Sequence, residues 1–253
     1  MQRTVSILVV AAMGVLIGSG AAVIDSRLNQ PAHQTNRLSP SASVPTPTPT
    51  QTNSAQLLAA IAANDLPEIV MVVALGTTSE ELGTGWPLDD SGDFLTNDHV
   101  VHNGESFHVE LASGQEYPAQ VINDDPGVDL AEIHVLGLRE QPFPLDDSLP
   151  TIGEPVVVLA AQGATGHPPV SDSKVSGLDE SATVSDASPG ELSDYSGLIR
   201  VSAKIYPGNS GGPVLNSQGQ VVGILTLAAE NSSGAFAIPI TQVYQEIQSW
   251  LSG

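Results

Sequence analysis

Residues 54–253 are predicted to form an all-β domain finished by one C-terminal helix, on three observations. Short runs rich in Val, Ile, Leu and Phe recur at close spacing from Ile69 to Ile238. Turn-forming stretches such as Asp89-Asp90-Ser91-Gly92, Ala112-Ser113-Gly114-Gln115 and Asn216-Ser217-Gln218-Gly219 separate them. Many short strands punctuated in this way make a sandwich or a barrel. The third observation is the end of the chain, where Val243, Ile247 and Leu251 recur every fourth residue with Tyr244 and Trp250 beside them, the pattern of one apolar helix face.

Taken in order, the N-terminus opens with Arg3 and a nearly continuous apolar run from Val5 to Ile24, followed by Asp25 and Arg27. Twenty apolar residues are long enough to span a bilayer, and Arg3 favours that end staying in the cytoplasm. The small residues Ser19-Gly20-Ala21-Ala22 also offer a signal-peptidase site, so residues 1–27 read as a retained signal anchor or a cleaved signal peptide. Both readings export the rest of the chain. Residues 28–53 contain Pro45-Thr46-Pro47-Thr48-Pro49-Thr50, a composition for an extended polyproline linker without a core. Residues 54–253 are then the folded domain.

That domain opens with a helix-forming stretch, Ala55 to Ala63, ended by Asn64-Asp65-Leu66-Pro67. The expected strands of the first half are Ile69–Leu75, Thr84–Leu88, Phe94–Thr96, Phe107–Leu111, Glu116–Ile122 and Asp129–Val135. Those of the second half are Pro155–Leu159, Val170–Val175, Leu198–Ala203, Pro213–Leu215, Val221–Leu227 and Ala235–Ile238. The acidic, Ser-rich stretch Leu178–Ser196 reads as a mobile loop.

Composition narrows the chemistry. A formal net charge of −21 with only seven Lys and Arg in the whole chain argues against nucleic-acid binding, which needs clustered cations against phosphates. The acidity reads first as solubility, with attraction of basic polypeptides as the alternative. No cysteine is present, so disulfides, thiol chemistry and Cys-bound zinc are excluded. The six histidines show no helical metal-ligand spacing, and neither a metal nor any other cofactor is implied.

One segment carries chemistry directly: Tyr206-Pro207-Gly208-Asn209-Ser210-Gly211-Gly212-Pro213-Val214. A serine between glycines, just ahead of a Val/Leu run, suits a nucleophile on a tight loop. The glycines permit a sharp turn and close substrate approach. The amides of Gly208 and Ser210, with Asn209 shaping the loop between them, can point at a developing oxyanion. Such a hydroxyl needs a base and an orienting carboxylate. The candidates are His99, in Thr96-Asn97-Asp98-His99-Val100-Val101, and Asp129, in Asp129-Leu130-Ala131. His102 and His108 compete with His99, and Asp124 and Asp125 compete with Asp129. Those two aspartates flank Pro126-Gly127 and read as turn formers, whereas Asp129 is expected to open an apolar strand.

Thr-Asn-x-His-Val-Val, Asp-Leu-Ala and Gly-Asn-Ser-Gly-Gly-Pro, in that order, resemble a trypsin-fold serine protease of the HtrA (Deg) type. The spacings of 30 residues (129 − 99) and 81 residues (210 − 129) suit the likeness, which spans roughly residues 65–252. Gly83-Thr84-Gly85, Gly219-Gln220-Val221-Val222-Gly223-Ile224 and Phe236-Ala237-Ile238-Pro239 add to it. The resemblance implies a chymotrypsin-like double six-stranded β-barrel and a His99–Asp129–Ser210 triad working through an acyl-enzyme. It implies an extracytoplasmic serine endopeptidase acting on misfolded or exposed polypeptides, membrane-anchored or secreted. By the same likeness Lys204 stands near the floor of the side-chain pocket, with Ile205 as the alternative lining residue and Leu225, Thr226 and Leu227 as the wall. A buried Lys204 would favour an acidic substrate side chain; Ile205 would favour a small aliphatic one. Only Ser252 and Gly253 follow Leu251, so the PDZ domain frequent in the family is not expected here, and monomer and trimer both stay open. The rival readings are a proteolytically latent peptide-binding or scaffold module and a narrow-specificity, glutamyl-type processing peptidase.

Overall fold

The computed structural model describes residues 54–77, 79–161, 170–184, 192, 194–228 and 234–252. The expected anchor and linker, His33, and the 162–169 segment with His167 lie outside the described residues. Helix α1 (Ser54–Asp65) and a 3-10 turn (Leu66–Glu68) lead into six strands: β1 (Val70–Leu75), β2 (Glu80–Pro87), β3 (Asp93–Thr96), β4 (Ser106–Glu110), β5 (Glu116–Asp125) and β6 (Leu130–Val135). A one-turn helix α2 (Asp98–Val101) follows β3. Six more strands complete the sheet structure: β7 (Pro155–Leu159), β8 (Val170–Thr183), β9 (Asp194–Val201), β10 (Pro213–Leu215), β11 (Val221–Ala228) and β12 (Ala235–Pro239). Helix α3 (Ile240–Trp250) ends the described chain.

Each set of six strands closes on itself. The first runs β1-β2-β3-β6-β5-β4 and the second repeats that order as β7-β8-β9-β12-β11-β10. The closing pairs are β1 with β4 and β7 with β10, both antiparallel. The expected double six-stranded barrel is therefore present, and closure leaves neither sheet an unpaired edge.

Strand β1 shows how the two barrels are joined. Val70 and Val72 point into the first barrel with Phe94, Val109 and Ile133. Its alternate residues Met71 and Val73 face outward into a shared layer with Trp86, Leu95 and Leu130 of the first barrel and Val157, Leu159, Leu215 and Ile224 of the second. A strand buried on both faces reads as an unbroken apolar run rather than an alternating one. Each of the large side chains fully buried there contributes about 1.5–3 kcal/mol, so the seam is held as firmly as either interior. Leu58 and Ala62 of α1 and Ile240, Val243 and Ile247 of α3 pack into the same layer. Leu251, expected on that helix face, lies past the helix end and is exposed.

Three elements differ from the sequence reading. β2 begins at Glu80, because exposed Glu80 and Glu81 pair through their backbones with Leu75 and Ala74 despite their charge. β5 runs on through Asp124 and Asp125, which pair with Ala131 and Leu130. Asp125 also makes the turn expected of it, its Oδ1 accepting the Gly127 N–H at 2.7 Å. The largest difference is in the stretch 178–196, of which residues 185–191 and 193 lie outside the described residues. Residues 178–183 continue β8 and residues 194–196 begin β9, in a hairpin interrupted by three register shifts. The apolar residues of this stretch that pack against the shared layer, Ala182, Val184, Leu192 and Tyr195, are scattered and lack the apolar alternation that marks a strand in sequence, which is why it reads as loop.

Candidate active site

The first barrel supplies an imidazole and a carboxylate from two loops. Asn97, extended at φ −83° and ψ 151°, ends β3 and starts α2, whose Val100 and Val101 are buried in the first core. That anchoring fixes where His99 leaves the backbone. Asp129 does not open β6 as a strand residue; it precedes the strand at φ 57°, in the left-handed region. Aspartate tolerates that conformation better than most residues, at a cost of about 1–3 kcal/mol that the surroundings must offset. They do so through three tethers. The Asn97 side-chain amide donates to the Asp129 carbonyl at 2.9 Å, the His99 backbone N–H donates to Asp129 Oδ1 at 3.0 Å, and His99 Nδ1 lies 2.9 and 3.0 Å from the two carboxylate oxygens. The Asp129 side chain is 2% exposed and that of His99 27%, so one edge of the ring faces solvent while the carboxylate is sealed.

Burial alone would push the Asp129 carboxyl up. The charge of His99 and the hydrogen bonds from His99 and Thr226 outweigh it and hold the group below the usual carboxylate range. Asp98, buried beside them, behaves in the opposite way. Burial raises it to about 6, against the attraction of His102, whose Nδ1 is 3.2 Å away, and with repulsion from Asp129 and Asp124 added. His102 is thus occupied with Asp98, and His134 with Asp93 at 2.6 Å. His99 is the histidine brought to Asp129.

The second barrel supplies the serine loop. Gly208 and Gly211 adopt φ 87° and 89°. At Gly211 a Cβ would collide with the Thr84 carbonyl and the Thr96 hydroxyl, and at Gly212 with the Leu159 carbonyl, so neither position admits a side chain. The loop folds on itself through Asn209, whose Oδ1 accepts the Tyr206 N–H at 2.8 Å and whose backbone N–H donates to the Tyr206 carbonyl at 3.1 Å. Among the described residues no hydrogen bond occupies the backbone N–H of Gly208 or Ser210.

First-barrel groups hold this loop in place. The Thr84 backbone N–H donates to the Ser210 carbonyl at 2.7 Å, its hydroxyl to the Gly208 carbonyl at 2.7 Å, and Trp86 Nε1 to the Gly211 carbonyl at 3.0 Å. The same Thr84 hydroxyl accepts the Ala161 N–H at 3.0 Å. Thr84 lies in the Gly83-Thr84-Gly85 match, but nothing in the sequence indicated this bridging task.

The two halves meet at Asp129. Thr226 Oγ1 donates to Asp129 Oδ2 at 2.6 Å, and the Tyr195 hydroxyl donates to the same oxygen at 3.0 Å. The Ser210 hydroxyl donates to the Thr226 carbonyl at 3.1 Å. Thr226, expected as pocket wall, is buried and bonded to both Asp129 and Ser210. Tyr195 was not anticipated; it stands in the stretch that reads as loop. Leu225 is fully buried in the second core, with its carbonyl accepting from Gly211 and its N–H donating to Gly212, each at 2.8 Å. Ile205 is half-buried against that core and Leu227 half-buried against the seam. Lys204 is exposed rather than buried, its ammonium 5.1 Å from the centre of the Tyr206 ring. Among the described residues no group of three or more His, Asp or Glu is placed to hold a metal ion.

Comparison with known proteins follows the same lines. Residues 83–224 match the trypsin-like peptidase domain family. The chain is 35% identical over 171 residues to a probable periplasmic serine endoprotease DegP-like of Chlamydia pneumoniae, covering 62% of this chain and 32% of that protein. It is 33% identical over 184 residues to a putative serine protease HhoA of Synechocystis sp., covering 67% and 43%. The matched region thus spans a third to under half of these relatives' length. Among solved structures, the active form of the Rv3671c protease from M. tuberculosis superposes with a TM-score of 0.66 at 23% identity, over 84% of this chain and 93% of that one, a likeness of fold. The HtrA-type protease AlgW with tripeptide superposes with a TM-score of 0.63 at 25% identity, over 76% and 62%. With its two six-stranded barrels and a family match across more than half its length, the chain belongs to the trypsin-like peptidase domain family.

Proposed function

We propose that this chain is a serine endopeptidase in which His99, Asp129 and Ser210 act as a triad. The observation that carries the reading is the sealed Asp129 carboxylate gripping the solvent-edged His99 ring at 2.9 and 3.0 Å, on the seam from which the Ser210 loop also projects. Bonded through Nδ1, His99 is left with Nε2 as the basic nitrogen. It takes the Ser210 proton as Oγ attacks the substrate carbonyl, and then returns that proton to the leaving amine. The amides of Gly208 and Ser210 receive the oxyanion, on a loop whose shape Asn209 fixes. Water admitted by the same base releases the acyl group.

Polypeptides are the substrate class, by analogy with relatives named as serine endoproteases. The periplasmic naming of those relatives and the Val5–Ile24 run support action outside the cytoplasm, tethered or secreted. For specificity, half-buried Ile205 and Leu227 favour aliphatic side chains, and exposed Lys204 keeps the glutamyl-type alternative in play.

A latent module is the second reading, and it draws on the Ser210 hydroxyl. That group spends its one proton on the Thr226 carbonyl, a bond to be given up before His99 can act as base. Labelling of the full-length chain with a fluorophosphonate decides between the two, with Ser210→Ala and denatured protein alongside. Labelling that needs both the fold and Ser210 supports the peptidase. Absence of labelling in folded protein overturns it in favour of the latent module. A peptide library varied at the residue before the cleaved bond then separates aliphatic from acidic preference.

A further inference from the structure

We propose that Tyr195 is a positioning residue of this site, its hydroxyl reaching across the seam between the barrels to fix the Asp129 carboxylate against His99. The inference rests on the triad reading above. Its basis is an inventory of the lone pairs of one buried group. Asp129 Oδ1 accepts the His99 backbone N–H and faces His99 Nδ1; Oδ2 faces the same Nδ1 and accepts two hydroxyls, from Thr226 on β11 and Tyr195 on β9. A carboxylate has about four acceptor positions, and all are used here. The ring therefore meets a carboxylate that cannot swing, because first-barrel donors hold one oxygen and second-barrel donors the other.

Tyr195 is suited to the task. It is 6% exposed, packed into the apolar layer shared by the barrels, and paired in register with Ala182 one pair from the end of the β8–β9 ladder. A ring clamped in an apolar layer has little freedom, so its O–H arrives pre-aligned. Asp98 on α2 acts on Asp129 through its charge, with His102 just past that helix and Asp124 on β5 as its own charged neighbours. None of them donates to Oδ2. Removing the phenol hydroxyl would leave a buried carboxylate oxygen short of a donor and concentrate its charge on the bond to His99. The imidazolium is then better stabilised, and the base loses its proton at higher pH. Its orientation is also less firmly held.

The test is the second-order rate of fluorophosphonate labelling of the full-length chain across pH, for wild type and Tyr195→Phe. We expect labelling roughly tenfold slower at neutral pH, the size of effect when a charged group loses one hydrogen bond. We also expect the acid limb of the profile to move up by about half a pH unit. A merely structural tyrosine would slow labelling in proportion to the folded fraction and leave the limb in place. Unchanged rate and limb in folded Tyr195→Phe overturn the proposal. Should Tyr195→Phe not fold, 3-fluorotyrosine at position 195 keeps shape and bond while strengthening the donor. The limb then moves down if the inference holds, and an unmoved limb overturns it. Labelling that persists in Ser210→Ala is a separate failure, that of the triad reading itself.

Discussion

The first and second barrels share one strand order but carry unequal parts of the site. In the first, registers are regular apart from one shift in β5–β6, and its pair of polar residues is set by short local loops on a well-packed core. In the second, β8–β9 is broken by three shifts and β10 is three residues long. Its serine loop takes its shape from glycines and from first-barrel donors, Thr84 and Trp86. The base is thus placed by local loops, with Thr226 and Tyr195 adding donors to Asp129 from the second barrel, and the nucleophile's loop is held from across the seam. Damage to the base should disturb chemistry with little effect on the fold, whereas damage to the nucleophile's supports should disturb both.

The largest effect tests the end point common to both halves. Ser210→Ala should abolish labelling and reduce peptide hydrolysis on the order of 10⁶-fold, with the urea midpoint nearly unmoved. Asp129→Asn attacks the base alone. It keeps the shape but favours the wrong imidazole tautomer, so kcat should fall about 10⁴-fold. The same variant has a pH signature. Asp129 is depressed below its ordinary range, so the stability it contributes is present at neutral pH and is lost as the solution is acidified through the folded value. The difference in Tm between wild type and Asp129→Asn should therefore shrink toward acid.

Gly211→Ala addresses the supports. Its Cβ would meet the Thr84 carbonyl, which is held by the Thr96 hydroxyl at 2.9 Å and cannot yield cheaply. Urea unfolding should show a loss of roughly 3 kcal/mol together with lost labelling. Thr84→Val is milder. It leaves the Gly208 carbonyl and the Ala161 N–H without their partner, costing about 2 kcal/mol and slowing labelling about tenfold. If Thr84→Val slows labelling without destabilising the protein, the seam is a catalytic support only, and the contrast between the barrels needs revising.

The smallest effect lies where the chain enters the first barrel. Glu68 is raised to about 7 by burial, with Glu140 and Asp65 adding repulsion. A folded value above the unfolded one means the native state is penalised as pH rises through that window. Glu68→Gln should raise Tm slightly at about pH 8.5 and leave it unchanged at about pH 4, below the unfolded value, by calorimetry.

Much of this could be read from residue order. Gly208 through Pro213, Thr96 through Val101 and Asp129 through Ala131 are local patterns, and each segment lies in the structure at the junction of a strand with a loop or short helix. Strands with apolar alternation or continuous apolar runs were legible for the same reason, since periodicity records which faces are buried. Tyr195 was not legible. Its end of β9 is short of apolar residues and irregular in register, and its partner lies 66 residues away. Lys204 shows a different limit: likeness placed it near the pocket floor, and its exposure beside Tyr206 could be seen only in the structure.

By itself the sequence determined the strand count, the absence of thiol chemistry and the three segments that hold His99, Asp129 and Ser210. Backbone propensity, glycine freedom and apolar periodicity act over a few residues, and a linear pattern can encode them. Only the tertiary structure decided that Asp129 would adopt a left-handed conformation and use every acceptor position, that Thr84 would shape the serine loop, and that Thr226 and Tyr195 would converge on one oxygen. Those outcomes depend on two closed barrels meeting face to face. A hydrogen bond between residues far apart in the chain exists only after burial of the apolar seam has brought its donor and acceptor together.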